Sequence, residues 1–132
     1  MEVALSCSGL WKVYEMGDER VQAIRGIDLE IYKGEMVAVM GPSGCGKTTL
    51  LNIISGIDEP SAGQVFIAQK PLFGIPDDDR TDIRAKEMGF IFQKFDLLDV
   101  MNTIENVEIP LLLSGVNPDE ARSLAEKSLE KV

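Results

Sequence analysis

The spacing of apolar and polar residues changes period several times along this chain. Residues 3–7 (Val-Ala-Leu-Ser-Cys) alternate and predict a strand. Residues 21–24 (Val-Gln-Ala-Ile) and 27–31 (Ile-Asp-Leu-Glu-Ile) predict two more, the second with clean period-two alternation. Lys33-Gly34 then makes a turn into residues 35–40 (Glu-Met-Val-Ala-Val-Met), a nearly continuous apolar run of the kind a strand buried on both faces needs. Residues 48–56 follow as a helix of about two to three turns. Pro60, Ser61 and Gly63 mark a turn before a strand at 64–68. Residues 77–86 are polar and predict a short exposed helix, and 89–92 (Gly-Phe-Ile-Phe) a short buried strand ending at Gln93. Thr103 caps a helix running toward Leu113, with Pro110 kinking or ending it. Residues 117–120 (Asn-Pro-Asp-Glu) are a strong helix start, with a capping residue, Pro at the first helical position and Glu at the third. Ala121, Leu124, Ala125, Ser128, Leu129 and Val132 continue that helix as an apolar or small-residue stripe, with no stop signal before the last residue. No internal repeat and no low-complexity linker interrupts the pattern.

Between the apolar run and the helix at 48–56 stands Gly41-Pro-Ser-Gly-Cys-Gly-Lys-Thr48, which fits the phosphate-binding pattern G-x-x-x-x-G-K-[ST]. Strand, glycine-rich loop and helix is the setting in which that pattern works. A triphosphate is a dense anion and needs many donors converging on a small volume. Gly41, Gly44 and Gly46 carry no Cβ, so the backbone around Pro42, Ser43 and Cys45 can take positive φ and approach phosphate oxygens closely. The successive N–H groups make an anion nest, and the nest opens onto a helix N-terminus whose dipole favours negative charge. Lys47 adds a full charge for the β- and γ-phosphates, and the Thr48 hydroxyl suits a Mg²⁺ ligand.

Composition narrows the partners. The chain has 132 residues, enough for one modest domain, and 45% hydrophobic content, enough for a core. A net charge of −9 argues against a nucleic-acid-binding surface, yet leaves a local phosphate site possible. Two cysteines, Cys7 and Cys45, make no disulfide framework and point to a reducing compartment. The first residues do not read as a signal peptide, and no apolar run reaches the ~18 residues of a membrane span, so membrane association is expected through a partner. The absence of histidine excludes a His-based zinc site and a Ser-His triad from these residues.

Taken together the motifs resemble the ATP-binding subunits of ABC transporters, over the whole chain. Val13-Tyr14 precedes the strands as the adenine-stacking aromatic does in that family, and Lys33-Gly-Glu35 leads into the P-loop in the same way. Residues 56–63 (Gly-Ile-Asp-Glu-Pro-Ser-Ala-Gly) look like the turn after the P-loop helix, and 89–93 like the strand leading to the Q-loop glutamine. Residues 92–98, 103–107 and Pro110-Leu111 are similar to the branch serving lipoprotein-release, macrolide-export and cell-division-type permeases. The resemblance implies an α/β P-loop NTPase fold: an antiparallel β-subdomain and part of the RecA-like core over 1–93, and the start of a helical subdomain over 94–132, with a C-terminal remainder beyond Val132. It implies ATP and Mg²⁺ as cofactors. Lys47 and the backbone of 41–48 would hold the β- and γ-phosphates, Thr48 the Mg²⁺, and Thr49 would lie near the α-phosphate. Tyr14 would stack on adenine, and Gln93 would sense metal and γ-phosphate. It further implies a membrane permease as partner, a homodimer of the full-length ATPase and a place on the cytoplasmic face of the membrane through the permease, with no nucleic acid and no direct insertion.

Three stretches imitate parts that residues 1–132 lack. Residues 57–61 (Ile-Asp-Glu-Pro-Ser) resemble a Walker B end, but no buried strand precedes them, and a polar turn is the better reading. Residues 113–116 (Leu-Ser-Gly-Val) resemble the start of a Leu-Ser-Gly-Gly-Gln signature but lack its second glycine and glutamine. Residues 93–96 (Gln-Lys-Phe-Asp) have the spacing of a guanine-specificity motif with the wrong first residue. Asp77, Asp78 and Asp79 diverge in direction and read as a solvated loop or helix cap rather than a metal site. Cys45 reads as a small residue filling a small space. The signature motif, the Walker B strand with its catalytic Glu and the switch histidine are absent from these residues, and phosphoryl transfer relies on positioned metal, water and charge. The expectation is therefore an ABC-type ATPase subunit represented by its N-terminal part, inactive in hydrolysis on its own. The rival readings are a truncated product with at most weak nucleotide binding and a different P-loop enzyme such as a small-molecule kinase.

Overall fold

The computed structural model describes residues 1–132, which divide into two compact units, Met1–Gly89 and Phe90–Val132. The first unit is built on a long antiparallel hairpin of β1 (Val3–Met16) and β2 (Glu19–Tyr32), paired from Val3 opposite Tyr32 to Met16 opposite Glu19. The two strands predicted at 21–24 and 27–31 are thus one. What joins them is a bulge: Leu10 faces Ile27 and Trp11 faces Arg25, so Gly26 is an extra residue on β2. Gly26 has φ +68°, and a Cβ there would lie 3.3 Å from Trp11 Nε1. A glycine accommodates both the dihedral and the indole, and the strand passes through instead of breaking.

β3 (Ala62–Ile67) pairs antiparallel with β1, and the two-residue β4 (Lys70–Pro71) pairs with β3, giving the sheet order β2-β1-β3-β4. Two helices complete the unit, α1 (Lys47–Ile54) and α2 (Asp77–Glu87). Their apolar stripes meet the sheet in one core: Cys7 and Leu10 of β1, Ile24 of β2, Val65 and Ile67 of β3, Leu50, Ile53 and Ile54 of α1, Ile83 of α2, and Leu72. Leu10, Ile53 and Leu72 are fully buried, so this cluster holds the helix that carries the P-loop against the sheet. Burial pushes the Cys7 thiol up from its ordinary value, as befits a thiol that packs as a small apolar group. The polar α2 opens with Asp77, Asp78 and Asp79 in its first turn, where the helix dipole favours them, and no cluster of acidic, histidine or cysteine side chains is disposed to hold a metal.

Two predicted strands do not form. Residues 35–40 make no ladder pairing, and Met36 and Met40 are 97% and 87% exposed. Residues 89–92 likewise pair with nothing, and Ile91 is fully exposed while the Phe90 and Phe92 rings stack on each other. The physical reason is the same for both. A strand exists only through a neighbour that accepts its backbone hydrogen bonds, and a doubly apolar strand needs cover on both faces. Within residues 1–132 neither segment has such a neighbour, so the apolar pattern is present and the strand is not.

The second unit is a helical hairpin of α3 (Thr103–Leu113) and α4 (Pro118–Leu129). The cap of α3 is Asn102, not Thr103: its side chain accepts from the Glu105 amide at 3.0 Å, and Glu105 Oε2 accepts from the Asn102 amide at 2.8 Å. Thr103 belongs to the helix because this reciprocal box is closed one residue earlier. The helix continues through Pro110 to Leu113, and the Ser114 hydroxyl donates to the Pro110 carbonyl at its end. Asn117 caps α4 by accepting from the Asp119 amide, with Pro118 in the first turn, as predicted. Ala121 and Ala125 are the buried side chains of the α4 stripe, and Arg122 reaches Glu108 across the hairpin at 3.1 Å. Leu112, Leu113 and Leu124 remain exposed.

Candidate functional site

The first unit contains an open cleft of about 1030 Å³ between β2 and the loop that leads into α1. Its lining runs from Tyr14 on β1 along residues 21–25 of β2 to Val39, Met40 and residues 43–50. The cleft is about as large as the largest of the ~300–1,000 Å³ sites that hold small molecules.

The loop takes its shape from its glycines. Gly46 caps α1 in a left-handed conformation, φ +100°, and a Cβ there would sit 2.6 Å from the Ala23 carbonyl oxygen. Strand β2 therefore presses directly on the loop, which only glycine permits. Gly44 has φ +80° with open space around it. The first hydrogen bond of the helix runs from the Leu50 amide to the Gly46 carbonyl at 2.9 Å. The amides of Lys47, Thr48 and Thr49 are thus the free donors of a helix N-terminus, these three residues line the cleft, and no acidic side chain in the first turn competes.

Lys47 folds over the loop. Its Nζ donates to the Gly41 carbonyl at 2.6 Å and the Pro42 carbonyl at 2.7 Å, and lies 3.6 Å from Cys45 Sγ. The lysine thus satisfies its charge on the carbonyls of the nest it borders, and an anion in the nest would exchange those contacts for phosphate oxygens. The Cys45 sulfur fills the space against Gly41, where a Cβ would meet it at 2.7 Å.

Tyr14 lines the same cleft, half-buried. Its hydroxyl donates to Asp58 Oδ2 at 2.8 Å, and Lys12 Nζ sits 4.9 Å from its ring centroid. Residues 57–61 are the polar turn the sequence predicted, with both Asp58 oxygens engaged, Oδ1 by Lys12 at 2.9 Å. Burial pushes the Asp58 carboxyl up, but hydrogen bonds from Lys12, Tyr14 and the Glu59 amide outweigh it and hold the carboxyl below its usual range. In the sequence this turn reads only as polar, and neither Lys12 nor Asp58 stands out. The available signal was the Lys12-x-Tyr14 spacing, which puts both side chains on one face of a strand.

The structure therefore gathers Tyr14 with residues 43–49 in one cleft of the first unit, and Gly41 and Pro42 supply carbonyls to Lys47 beside it. Gln93 belongs to the second unit, in an exposed irregular stretch. Thr48 is the exposed hydroxyl of the first turn of α1.

A glycine loop that ends in a left-handed cap, a helix N-terminus with free amides and a lysine folded across it define a P-loop protein. The chain belongs to the ABC transporter family: the family model described as ABC transporter matches residues 24–132. It is 42% identical over 128 residues to a lipoprotein-releasing system ATP-binding protein LolD of Pseudomonas fluorescens, covering 97% of this chain and 56% of the relative. It is 36% identical over 132 residues to an uncharacterized ABC transporter ATP-binding protein of Thermotoga maritima, again over 56% of the relative. Among solved structures it is similar to the dimeric post-hydrolysis state of the ATP-binding cassette MJ0796 bound to ADP and Pi, with TM-score 0.87 and 38% identity. That cassette is from Methanocaldococcus jannaschii, and the match covers 96% of this chain and 56% of the neighbour. The chain thus spans little more than half the length of the proteins it matches. The α/β ABC ATPase fold expected from the sequence stands, and a small-molecule kinase is not favoured. No helix is long and apolar enough to cross a membrane.

Proposed function

We propose that the protein is the MgATP-binding subunit of a transporter and couples ATP hydrolysis to a membrane permease of the export or lipoprotein-release type. One observation carries this reading: the P-loop amides, Lys47 and Tyr14 border a single cleft in a chain of the ABC transporter family. Lys47 and the backbone of Gly41, Pro42, Ser43, Gly44, Cys45 and Gly46 bind the β- and γ-phosphates. Thr49 lies near the α-phosphate, and Tyr14 stacks on adenine. Magnesium fits this donor set as a metal brought by the triphosphate: Thr48 offers one hydroxyl, no group of three acidic, histidine or cysteine side chains competes, and Mg²⁺ favours a few protein oxygens completed by phosphate and water. Bound there, the metal would neutralise phosphate charge. Gln93 serves as sensor of metal and γ-phosphate.

The lipoprotein-releasing system relative supports a transport partner, and the dimeric cassette supports a homodimer. A homodimer around two nucleotides, held on the cytoplasmic face of the membrane by the permease, is part of the same proposal and follows from the resemblance. The catalytic Glu and signature motif that the resemblance requires are not among residues 1–132, so these residues alone would bind nucleotide without turning it over. The test is ATP hydrolysis by the full-length protein reconstituted with its permease. Turnover that depends on the permease and is lost in Lys47→Ala is expected. Hydrolysis indifferent to the permease, or equal in the variant, would overturn the reading.

A further inference from the structure

The contacts behind Tyr14 take no part in holding phosphate. Lys12 and Tyr14 stand two residues apart on β1, and the Lys12 ammonium lies over one face of the ring. That ammonium is itself pinned, by Asp58 Oδ1 at 2.9 Å and the Glu59 carbonyl at 2.6 Å, and its side chain is only 13% exposed. The second Asp58 oxygen takes the Tyr14 hydroxyl at 2.8 Å. Asp58 in turn is tied to the helix that opens the phosphate loop, because its amide donates to the Asn52 carbonyl of α1 at 3.0 Å.

We propose that Lys12 and Asp58 are positioning residues that hold the Tyr14 ring as a one-sided shelf for the base of a bound nucleotide. The inference rests on the reading of Tyr14 as the base-stacking residue. An aromatic ring on a strand has two free torsions. Here the phenol oxygen is fixed by a carboxylate and one ring face is covered by a cation, which leaves a single orientation and a single face on which a flat base can stack. The anchor is the turn directly after α1. One short helix therefore supports the phosphate nest at its N-terminus and the base shelf through its C-terminal turn, and fixes the span between them before nucleotide arrives. Preorganisation of this kind removes an ordering cost from binding.

The test is calorimetric titration of the full chain with MgATP and, separately, with inorganic tripolyphosphate. Tyr14→Ala is expected to lose about 5- to 150-fold in ATP affinity. Asp58→Ala is expected to lose about 3- to 10-fold, and neither variant changes tripolyphosphate affinity. Tyr14→Phe removes only the phenol oxygen and keeps the ring. It should reproduce the part of the Asp58→Ala loss that runs through the hydroxyl, and adding Asp58→Ala to it should cost less than Asp58→Ala costs alone. If Asp58→Ala weakens both ligands equally, its role is structural and the proposal fails. If Tyr14→Ala weakens ATP binding while Asp58→Ala and Tyr14→Phe do not, positioning fails and stacking stands. If Tyr14→Ala leaves ATP affinity unchanged, stacking and positioning fall together.

Discussion

Replacing Gly46 by alanine tests whether the sheet shapes the phosphate loop. The new Cβ would sit 2.6 Å from the Ala23 carbonyl oxygen and 3.4 Å from Ile24 Cδ1, in a residue at φ +100°. The left-handed conformation costs an L-residue about 1–2 kcal/mol. The contact with Ala23 involves backbone of the paired strand β2, which has no rotamer to change, and relieving it by a shift of loop or strand adds roughly 1–3 kcal/mol. The sum is about 2–5 kcal/mol, a large share of a typical domain's stability. Gly44→Ala is the control within the same loop: φ is +80° but nothing lies within 4 Å of the new Cβ, so only the conformational part applies. Urea unfolding of both variants, followed by far-ultraviolet circular dichroism, should show Gly46→Ala less stable than Gly44→Ala by about 1–3 kcal/mol. Equal losses would refute the argument that β2 presses on the loop.

Three other outcomes follow from the structure. Ile53→Ala empties a fully buried position between α1 and the sheet and should cost about 2–5 kcal/mol in the same unfolding assay, whereas a loss below 1 would mean that the core of the first unit is not where it is described. Asn102→Ala breaks the capping box of α3 and should remove about 1 kcal/mol of helix stability, read as earlier loss of amide-exchange protection at Glu105 and Asn106, with α4 unaffected. The folded Asp58 carboxyl lies below its ordinary value near 3.8, so its contribution is complete above that pH and is lost as pH falls through the depressed folded value. Asp58→Asn should therefore flatten the stability profile below about pH 4 and nowhere else, and an unchanged acid limb would contradict the assignment.

The local conformation of the glycine loop was more legible in the sequence than the sheet. The P-loop is local: its glycines, its lysine and the helix after it lie within residues 41–54, and a short motif specifies them without distant help. Helix starts were legible for the same reason, since Asn117 and Pro118 act on their own turn, and the misplaced cap at Thr103 is an error of one residue against the box formed by Asn102 and Glu105. The strands at 35–40 and 89–92 failed because apolar periodicity records what a segment would bury, while a strand also needs a partner backbone that residues 1–132 do not provide. The unbroken β2 is not legible in the sequence, because the bulge at Gly26 depends on Trp11 lying across it from the paired strand. The Lys12–Asp58–Tyr14 cluster joins residues 46 and 44 apart in sequence, a pairing no local pattern announces.

The central claim is that the cleft over the P-loop holds the phosphates of ATP through Lys47 and the helix amides. Calorimetric titration of MgATP into the full chain and into Lys47→Ala tests it most directly. Charge-assisted contacts are each worth about 1.5–3 kcal/mol, so the account predicts saturable binding at one site and a loss of roughly 10- to 150-fold in the variant. Equal affinity of the two proteins for MgATP would contradict it.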